Sequence, residues 1–270
     1  MKYVFRCWLV GLLLLGTLGI SMAYSAGNSL FRGSVLRIMT YNVHHCNPPS
    51  AKGKIDVPAI ARVINNEKPD LVALQEIDAY TSRSGKDLHQ ARELARLTGM
   101  YSFFAKAIDF QGGEYGIAIL SRFPILDSIA LVLPMKDSNR GEQRAIAVIT
   151  VALKDGRKLK FASTHLDLEP ENRLMQVQKI KALFHEEKLP VILSGDFNDV
   201  PGSEPINYID RFFKRSCIQS CASSFPAINP DKEIDYIFFT PSRFRTKSHQ
   251  VVAETYASDH LPLLAELSFN

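Results

Sequence analysis

Carboxylate, amide and imidazole side chains recur in this chain where apolar runs end. Asp196 and Asn198 close such a run in LSGDFNDVPGSEP (193–205), two positions apart and just before a Pro-Gly turn. Asn42 ends the run in MTYNVHH, Glu76 ends LVALQEI, Tyr115 opens YGIAILSR, and His165 and Asp167 close FASTHLDL. Asp235 sits in EIDYIFF, and the pair Asp259-His260 precedes LPLLAEL. Carboxylate and amide oxygens suit a hard divalent cation. Mg2+ keeps several waters and binds through one or two carboxylates plus substrate phosphate, and Mn2+ accepts the same donors. Histidines nearby can handle protons, because imidazole titrates near working pH. No Cys-His cluster has the spacing of a zinc site.

Each residue also has an ordinary structural reading. Asn42 can cap a turn, Glu76 can be solvated, Tyr115 can pack, His165 can be a core histidine and Asp235 can bind backbone amides. Asp199 reads equally as part of an Asx-rich turn. The weight lies in recurrence, since run after run ends in the same chemistry. Along an extended chain residues two apart point the same way. Asp196 and Asn198 are therefore expected to face one ligand, with Phe197 turned into the core.

The runs themselves read as strands and helices. SVLRIMTYNV (34–43), LVALQEI (71–77), GIAILS, SIALVLP, RAIAVITVAL, LKFASTHL, PVILSGDF, EIDYIFF and LPLLAELSF are apolar and β-branched. Three helices are expected. DVPAIARVINNEKPD (56–70) opens on an Asp cap with Pro58 in its first turn, DLHQARELARLTG (87–99) stops at Gly99, and NRLMQVQKIKALFHEE (172–187) is the third. Asp155-Gly156 between two strands signals a hairpin. Strands outnumber helices, and two sheets packed face to face with helices outside would bury the runs. Strand ends can then gather at one rim, where ligand sites are favoured.

The ordered set TYNVHH, LQE, YGIAILSR-FP, THLD, SGDFN, IDYIF and SDHLP resembles the motifs of the endonuclease/exonuclease/phosphatase superfamily, the deoxyribonuclease I-like group, in an exported bacterial-type form. The resemblance runs from about residue 35 to 269. Its motifs are specific for the superfamily and poorly specific for substrate. It implies a four-layer α/β sandwich of two mostly antiparallel sheets flanked by helices, and a Mg2+-dependent hydrolase. By the resemblance, Glu76 is the main metal carboxylate, with Asn42 beside it and Asp259 near the metal. Asp196 orients or deprotonates the attacking water, and Asn198 holds the phosphate. His260, paired with Asp235, transfers protons or stabilises phosphate. His165 contacts the phosphate or helps to protonate the leaving group, Asp167 in the same motif binds substrate, and Tyr115 donates to a phosphate oxygen.

Residues 1–26 read as a secretory leader: MKYVFR is basic, CWLVGLLLLGTLGI apolar, and SMAYSA small, with cleavage after Ala23 or Ala26. The expected product is exported, or membrane-anchored if the leader stays. About 244 residues remain (27–270), which suits one catalytic domain. Apolar residues make up 46% and charged residues 22%, enough for a sizeable core. Loss of Lys2 and Arg6 would lower the formal charge from +4 to +2, below what a dedicated duplex-DNA binder shows. Export permits a Cys217–Cys221 disulfide, which leaves Cys46 over.

Outside the motifs, Arg83 in TSRSGKDLHQ (81–90) is a candidate phosphate grip or a plain surface arginine. Lys232 meets an anionic headgroup or solvent, and Arg173 is expected to hold the loop after THLD. The favoured substrate is a small or lipid-linked phosphate ester. A secreted nuclease is second, with Arg211, Phe212, Phe213, Lys214 and Arg215 as its candidate nucleic-acid platform or else a helix end. A non-catalytic binding protein is third. Nothing in the sequence implies a protein partner, and a monomer is expected.

Overall fold

The computed structural model describes residues 35–136 and 141–270. In chain order these form β1 (Val35–Asn42), α1 (Val57–Glu67), β2 (Leu71–Ala79), α2 (Gln90–Thr98), β3 (Tyr101–Phe110), β4 (Gly113–Ser121), β5 (Ile125–Val132) and β6 (Ala145–Ala152). They continue with β7 (Lys158–His165), α3 (Pro170–Leu183), β8 (Val191–Asp196), α4 (Glu204–Ile209), β9 (Lys214–Arg215), β10 (Asp235–Phe239), β11 (Phe244–Val251) and β12 (Leu263–Phe269). The leader expected over residues 1–26 lies outside the described residues.

Two six-stranded sheets result, ordered β11-β12-β1-β2-β4-β3 and β5-β6-β7-β8-β10-β9. Each holds one parallel pair, β1–β2 and β7–β8, and all its other pairings are antiparallel. A parallel pair needs a crossover, and α1 and α3 supply it. The side-chain period of two sorts the core into layers. On β2, Leu71 and Ala73 pack between the sheets, while Val72 and Leu74 pack towards α1 and α2. On β8, Ile192 joins the layer between the sheets, while Val191 and Leu193 face α3 and α4. The architecture is thus helix, sheet, sheet, helix.

Local chemistry explains the element ends. The Asp56 carboxylate accepts from the N–H of Ala59 at 3.1 Å and starts α1, with Pro58 in its first turn. Gly99, at φ +66°, stops α2 through its N–H to the Ala95 carbonyl. Leu153–Arg157 turns β6 back as β7, with Gly156 at φ +86°. Cys217 and Cys221 form a disulfide, and Cys46 is a buried thiol. Among the described residues no helix is long and apolar enough to cross a membrane.

Two irregularities aim the chain at one rim. On β2 the register to β4 shifts between Leu74 and Ile77, so Gln75 and Glu76 stand opposite Ile117 alone. Glu76 takes φ +59° in this bulge, and bulges of this kind re-aim side chains. On β8 a side chain at Gly195 would place its Cβ 2.1 Å from the Thr164 carbonyl oxygen. Only glycine lets β8 close on β7 one residue before Asp196.

Candidate active site

The last residues of β1, β7 and β8, the bulge of β2, the first residue of β10 and the loop before β12 meet at one rim. Asn42 ties the two sheets together there. Its Nδ2 donates to Glu76 Oε1 and to Asp196 Oδ2, both at 3.1 Å, while its Oδ1 accepts the N–H of His44 at 3.1 Å. Ser258 Oγ donates to the Asn42 carbonyl at 2.7 Å and lies 3.4 Å from Asp259 Oδ1, which brings Asp259 to the same neighbourhood.

Asp196 is the hub. Its Oδ1 accepts the N–H of Asn198 at 2.8 Å. Its Oδ2, beyond Asn42, faces His165 Nε2 at 3.5 Å and His260 Nε2 at 3.7 Å. Both separations exceed a hydrogen bond, so both ring nitrogens remain open to a ligand oxygen. Burial and then the Asp235 charge raise the Asp196 carboxyl to about 7, against the opposing pull of His260. His260 Nδ1 donates to Asp235 Oδ2 at 2.9 Å, and Ser224 Oγ donates to that same oxygen at 2.6 Å. Burial lowers His260, but the charge and hydrogen bond of Asp235, helped by Asp196 and Asp259, prevail and lift it to about 10. His260 is an imidazolium at neutral pH. His165 is the opposite case: burial, then the Arg144 cation, holds it well below the ordinary histidine value.

Glu76 is the partly exposed carboxylate of the group. Burial raises it, but His45, His165, Asn42 and His44 outweigh burial and hold it well below the usual carboxylate range. His45 Nδ1 lies 3.8 Å from Glu76 Oε2, too long for a hydrogen bond, and is buried without another partner. An ionised carboxylate with amide and carboxylate oxygens close by is a hard donor set, and it fits a divalent cation. Asp196, Asp235 and His260 also have metal-like spacing, with donor atoms within 4.8 Å of one another. His260 Nδ1 is already engaged with Asp235, whereas Glu76 is partly exposed at the rim and is the better anchor. Asn42 Oδ1 accepts the His44 N–H with one lone pair and has a second to offer.

Tyr115 borders Glu76. Burial, then the Glu76 charge, keeps its hydroxyl protonated. Arg83 stacks over Tyr115, 5.4 Å from its centroid, and over Phe110 at 4.4 Å. Its Nε and Nη2 grip Asp78 in a fork at 2.7 and 2.9 Å.

A family model for endonuclease/exonuclease/phosphatase proteins matches residues 39–260, from the middle of β1 to the His260 that closes the site. The chain belongs to the endonuclease/exonuclease/phosphatase family. Family members are phosphoester hydrolases. The chain is 25% identical over 250 residues to nocturnin of Xenopus laevis, covering 75% of itself and 61% of that protein, so it spans about six-tenths of the relative's length. A solved endonuclease/exonuclease/phosphatase from Beutenbergia cavernae has the same fold, with a TM-score of 0.70 at 24% identity over 87% of this chain and 72% of that one. Bacteroides thetaiotaomicron mannosyl-6-phosphatase gives 0.71 at 24% identity over 87% and 100%. The human nocturnin catalytic domain with bound sulfate gives 0.67 at 20% identity over 87% and 95%.

Within this family scaffold some expected residues stand elsewhere than the motifs suggested. Both carboxylate oxygens of Asp167 are engaged by its own loop and helix. Its Oδ1 accepts the N–H of Glu169 at 3.1 Å and its Oδ2 accepts Asn172 Nδ2 at 3.0 Å, so it organises the start of α3. Arg173 holds the same loop, through the Asp167 and Leu168 carbonyls and the Asp199 carboxylate. Asn198 does reach Asp196, but not by strand alternation. β8 ends at Asp196, Phe197 is buried as expected, and Asn198 turns to φ +50° with its Nδ2 on the Leu166 carbonyl at 2.8 Å. Arg83 has both fork nitrogens committed to Asp78, so it positions Tyr115 more directly than it offers a free phosphate grip. Arg211, Phe212 and Phe213 border a cavity of about 330 Å³ with Val191 and Thr240. Val191 starts β8, Asp196 ends it, and Thr240 follows the end of β10 that Asp235 begins. Arg211, Phe212 and Phe213 therefore lie at the far ends of these strands from the site, while Arg215 is tied to Asp210 and Glu233 at 3.1 and 3.8 Å.

Sequence reasoning missed His45, Arg144 and Ser224. His45 was visible inside TYNVHH, next to the chosen Asn42. Arg144 and Ser224 carry no local signal, because only the fold sets them against His165 and Asp235.

Proposed function

We propose that this protein hydrolyses phosphate esters with a resident divalent cation, Mg2+ with Mn2+ as substitute, by direct attack of water on phosphorus. The observation that carries the reading is the single oxygen of Asp196 shared by Asn42, His165 and His260, with ionised Glu76 on the other side of Asn42. Glu76, with Asp259 nearby, would hold the cation. Bound there, it supplies Lewis-acid stabilisation of charge developing on the phosphoryl oxygens. The remaining roles belong to the chain. Asp196, raised by burial, is suited to orient a water and take its proton. The His260 imidazolium, steadied by Asp235 and Ser224, supplies positive charge and a proton. The Tyr115 hydroxyl and the His165 N–H donate to phosphoryl oxygens.

The reading favours a small or lipid-linked phosphate ester over nucleic acid. The modest formal charge supports this, as does the placement of Arg211, Phe212 and Phe213 away from the site. It also includes export of a monomer, since a disulfide such as Cys217–Cys221 persists in oxidising compartments. A substrate panel tests it: bis-p-nitrophenyl phosphate, inositol phosphates, sphingomyelin and plasmid DNA, each with Mg2+, Mn2+ or EDTA. Metal-dependent turnover of a non-nucleic ester, abolished by EDTA, is expected. DNA cleavage far faster than the others reverses the substrate ranking, and inertness towards all of them with both metals overturns the reading.

A further inference from the structure

Arg144, just before β6, is almost wholly buried, 6% exposed. A buried guanidinium is costly unless its charge and N–H groups are matched. Its Nη1 lies 3.0 Å from Glu142 Oε1 and 3.2 Å from His165 Nδ1, while its Nε is buried without a partner. A guanidinium has donors only and stays protonated. The ring nitrogen that meets it must therefore present a lone pair, because an N–H there would set donor against donor. With Nδ1 bare, the ring proton is on Nε2, the nitrogen that faces Asp196 Oδ2 and the open rim.

We propose that Arg144 is a positioning residue that locks His165 as a neutral imidazole protonated on Nε2, so that His165 serves the phosphoryl group as a fixed hydrogen-bond donor and not as a proton carrier. The phosphoryl part rests on the hydrolase reading above. The tautomer does not.

The two histidines at Asp196 are then a matched pair with opposite duties. Each has its Nδ1 set by one buried partner and its Nε2 aimed at the same oxygen. The partner of His260 is a carboxylate, which requires an N–H at Nδ1 and favours the cation. The partner of His165 is a guanidinium, which forbids an N–H at Nδ1 and repels the cation. Burial, then Arg144 and His260, oppose a charged His165 while Glu76 and Asp196 favour it, and the contact at 3.2 Å decides which nitrogen of the neutral ring keeps the proton. A donor already aimed where charge develops needs no reorganisation in the transition state. Proton transfer is left to Asp196 and His260.

Long-range 1H–15N spectra of the imidazole rings test this, with the His165 signals assigned by their loss in His165→Gln. The wild type should show His165 neutral, with Nε2 protonated and Nδ1 bare. In Arg144→Met, which removes charge and donor together, His165 should become a tautomer mixture or an imidazolium. The same change should lower kcat by on the order of 10²-fold with little change in KM, the cost of misaiming one preorganised donor. Arg144→Lys, which keeps a cationic donor, should restore the Nε2–H form and part of kcat. A proton on Nδ1 in the wild type, or an unchanged ring spectrum in Arg144→Met, overturns the proposal. If the Met variant does not fold, the wild-type and Lys spectra still decide, because Nδ1–H in either contradicts it. An Nε2–H spectrum in a protein that hydrolyses none of the panel removes the hydrolase reading and leaves the tautomer standing.

Discussion

His165 and His260 approach one oxygen, Oδ2 of Asp196, through their Nε2 atoms at 3.5 and 3.7 Å. Their surroundings pull them in opposite directions: burial and then Arg144 hold His165 low, while Asp235 outweighs burial and raises His260. Titratable groups whose surroundings push their pKa values apart divide acid and base duties between them. Several outcomes follow from this asymmetry and from the residues around it.

Asp235→Asn should lower kcat/KM by roughly 10²–10⁴-fold and pull the alkaline limb of the rate profile from about 10 towards the ordinary histidine range. The sign is set by the raised folded-state value of His260. Its contribution to stability is fully present below the unfolded value near ~6.5 and is lost as pH rises through about 10. Thermal unfolding from neutral to alkaline pH should show this loss in the wild type and less of it in the variant. An unmoved alkaline limb would contradict the assignment.

Glu76→Ala should abolish turnover and also remove the rise in melting temperature that Mn2+ or Mg2+ gives the wild type, since a ligand that binds the native state stabilises it. His260→Ala should abolish turnover as well but keep the metal-induced rise. Full activity in either variant refutes its role, and loss of the metal response in His260→Ala would move the cation site to the Asp196–Asp235–His260 cluster.

Asp167→Ala should act on folding and leave chemistry alone. It strands the buried Nδ2 of Asn172, at a cost of about 1–3 kcal/mol for a buried donor without a partner, and frees the part-buried N–H of Glu169. Denaturant unfolding should show the loss while kcat/KM stays near the wild-type value. A large drop in kcat/KM at unchanged stability would return Asp167 to substrate binding.

Arg211→Ala and Phe212→Ala should leave hydrolysis of every panel substrate unchanged, plasmid DNA included, because the cavity they border lies at the far ends of β8 and β10 from the site. Selective loss of DNA cleavage would show that nucleic acid reaches this face, and would favour the nuclease.

Much of the fold was legible. The apolar runs named β1, β2, β4, β5, β6, β7, β8, β10 and β12, and the caps at Asp56 and Gly99 bounded their helices. What stayed hidden has a common cause. β3 and β11 are edge strands whose sequences, YSFFAKAIDF and FRTKSHQV, are only partly buried. Edge strands meet solvent and lose the continuous apolar signal. α4 is six residues long, too short to show a helical period. The bulge at Glu76 and the turn at Asn198 are backbone departures that residue type does not announce.

By itself the sequence determined which donors exist and that they cluster at the ends of buried runs, because hydrophobic periodicity and capping are local properties of the chain. Only the tertiary structure decided what each donor faces. Asp167 and His165 are two residues apart in one motif, yet one secures a helix and the other meets Asp196. His165 and His260 are the same residue type, yet burial and a guanidinium hold one low while a carboxylate overcomes burial and raises the other. The physical reason is that protonation in a buried site is set by desolvation and by the nearest charge, and that neighbour arrives from another strand.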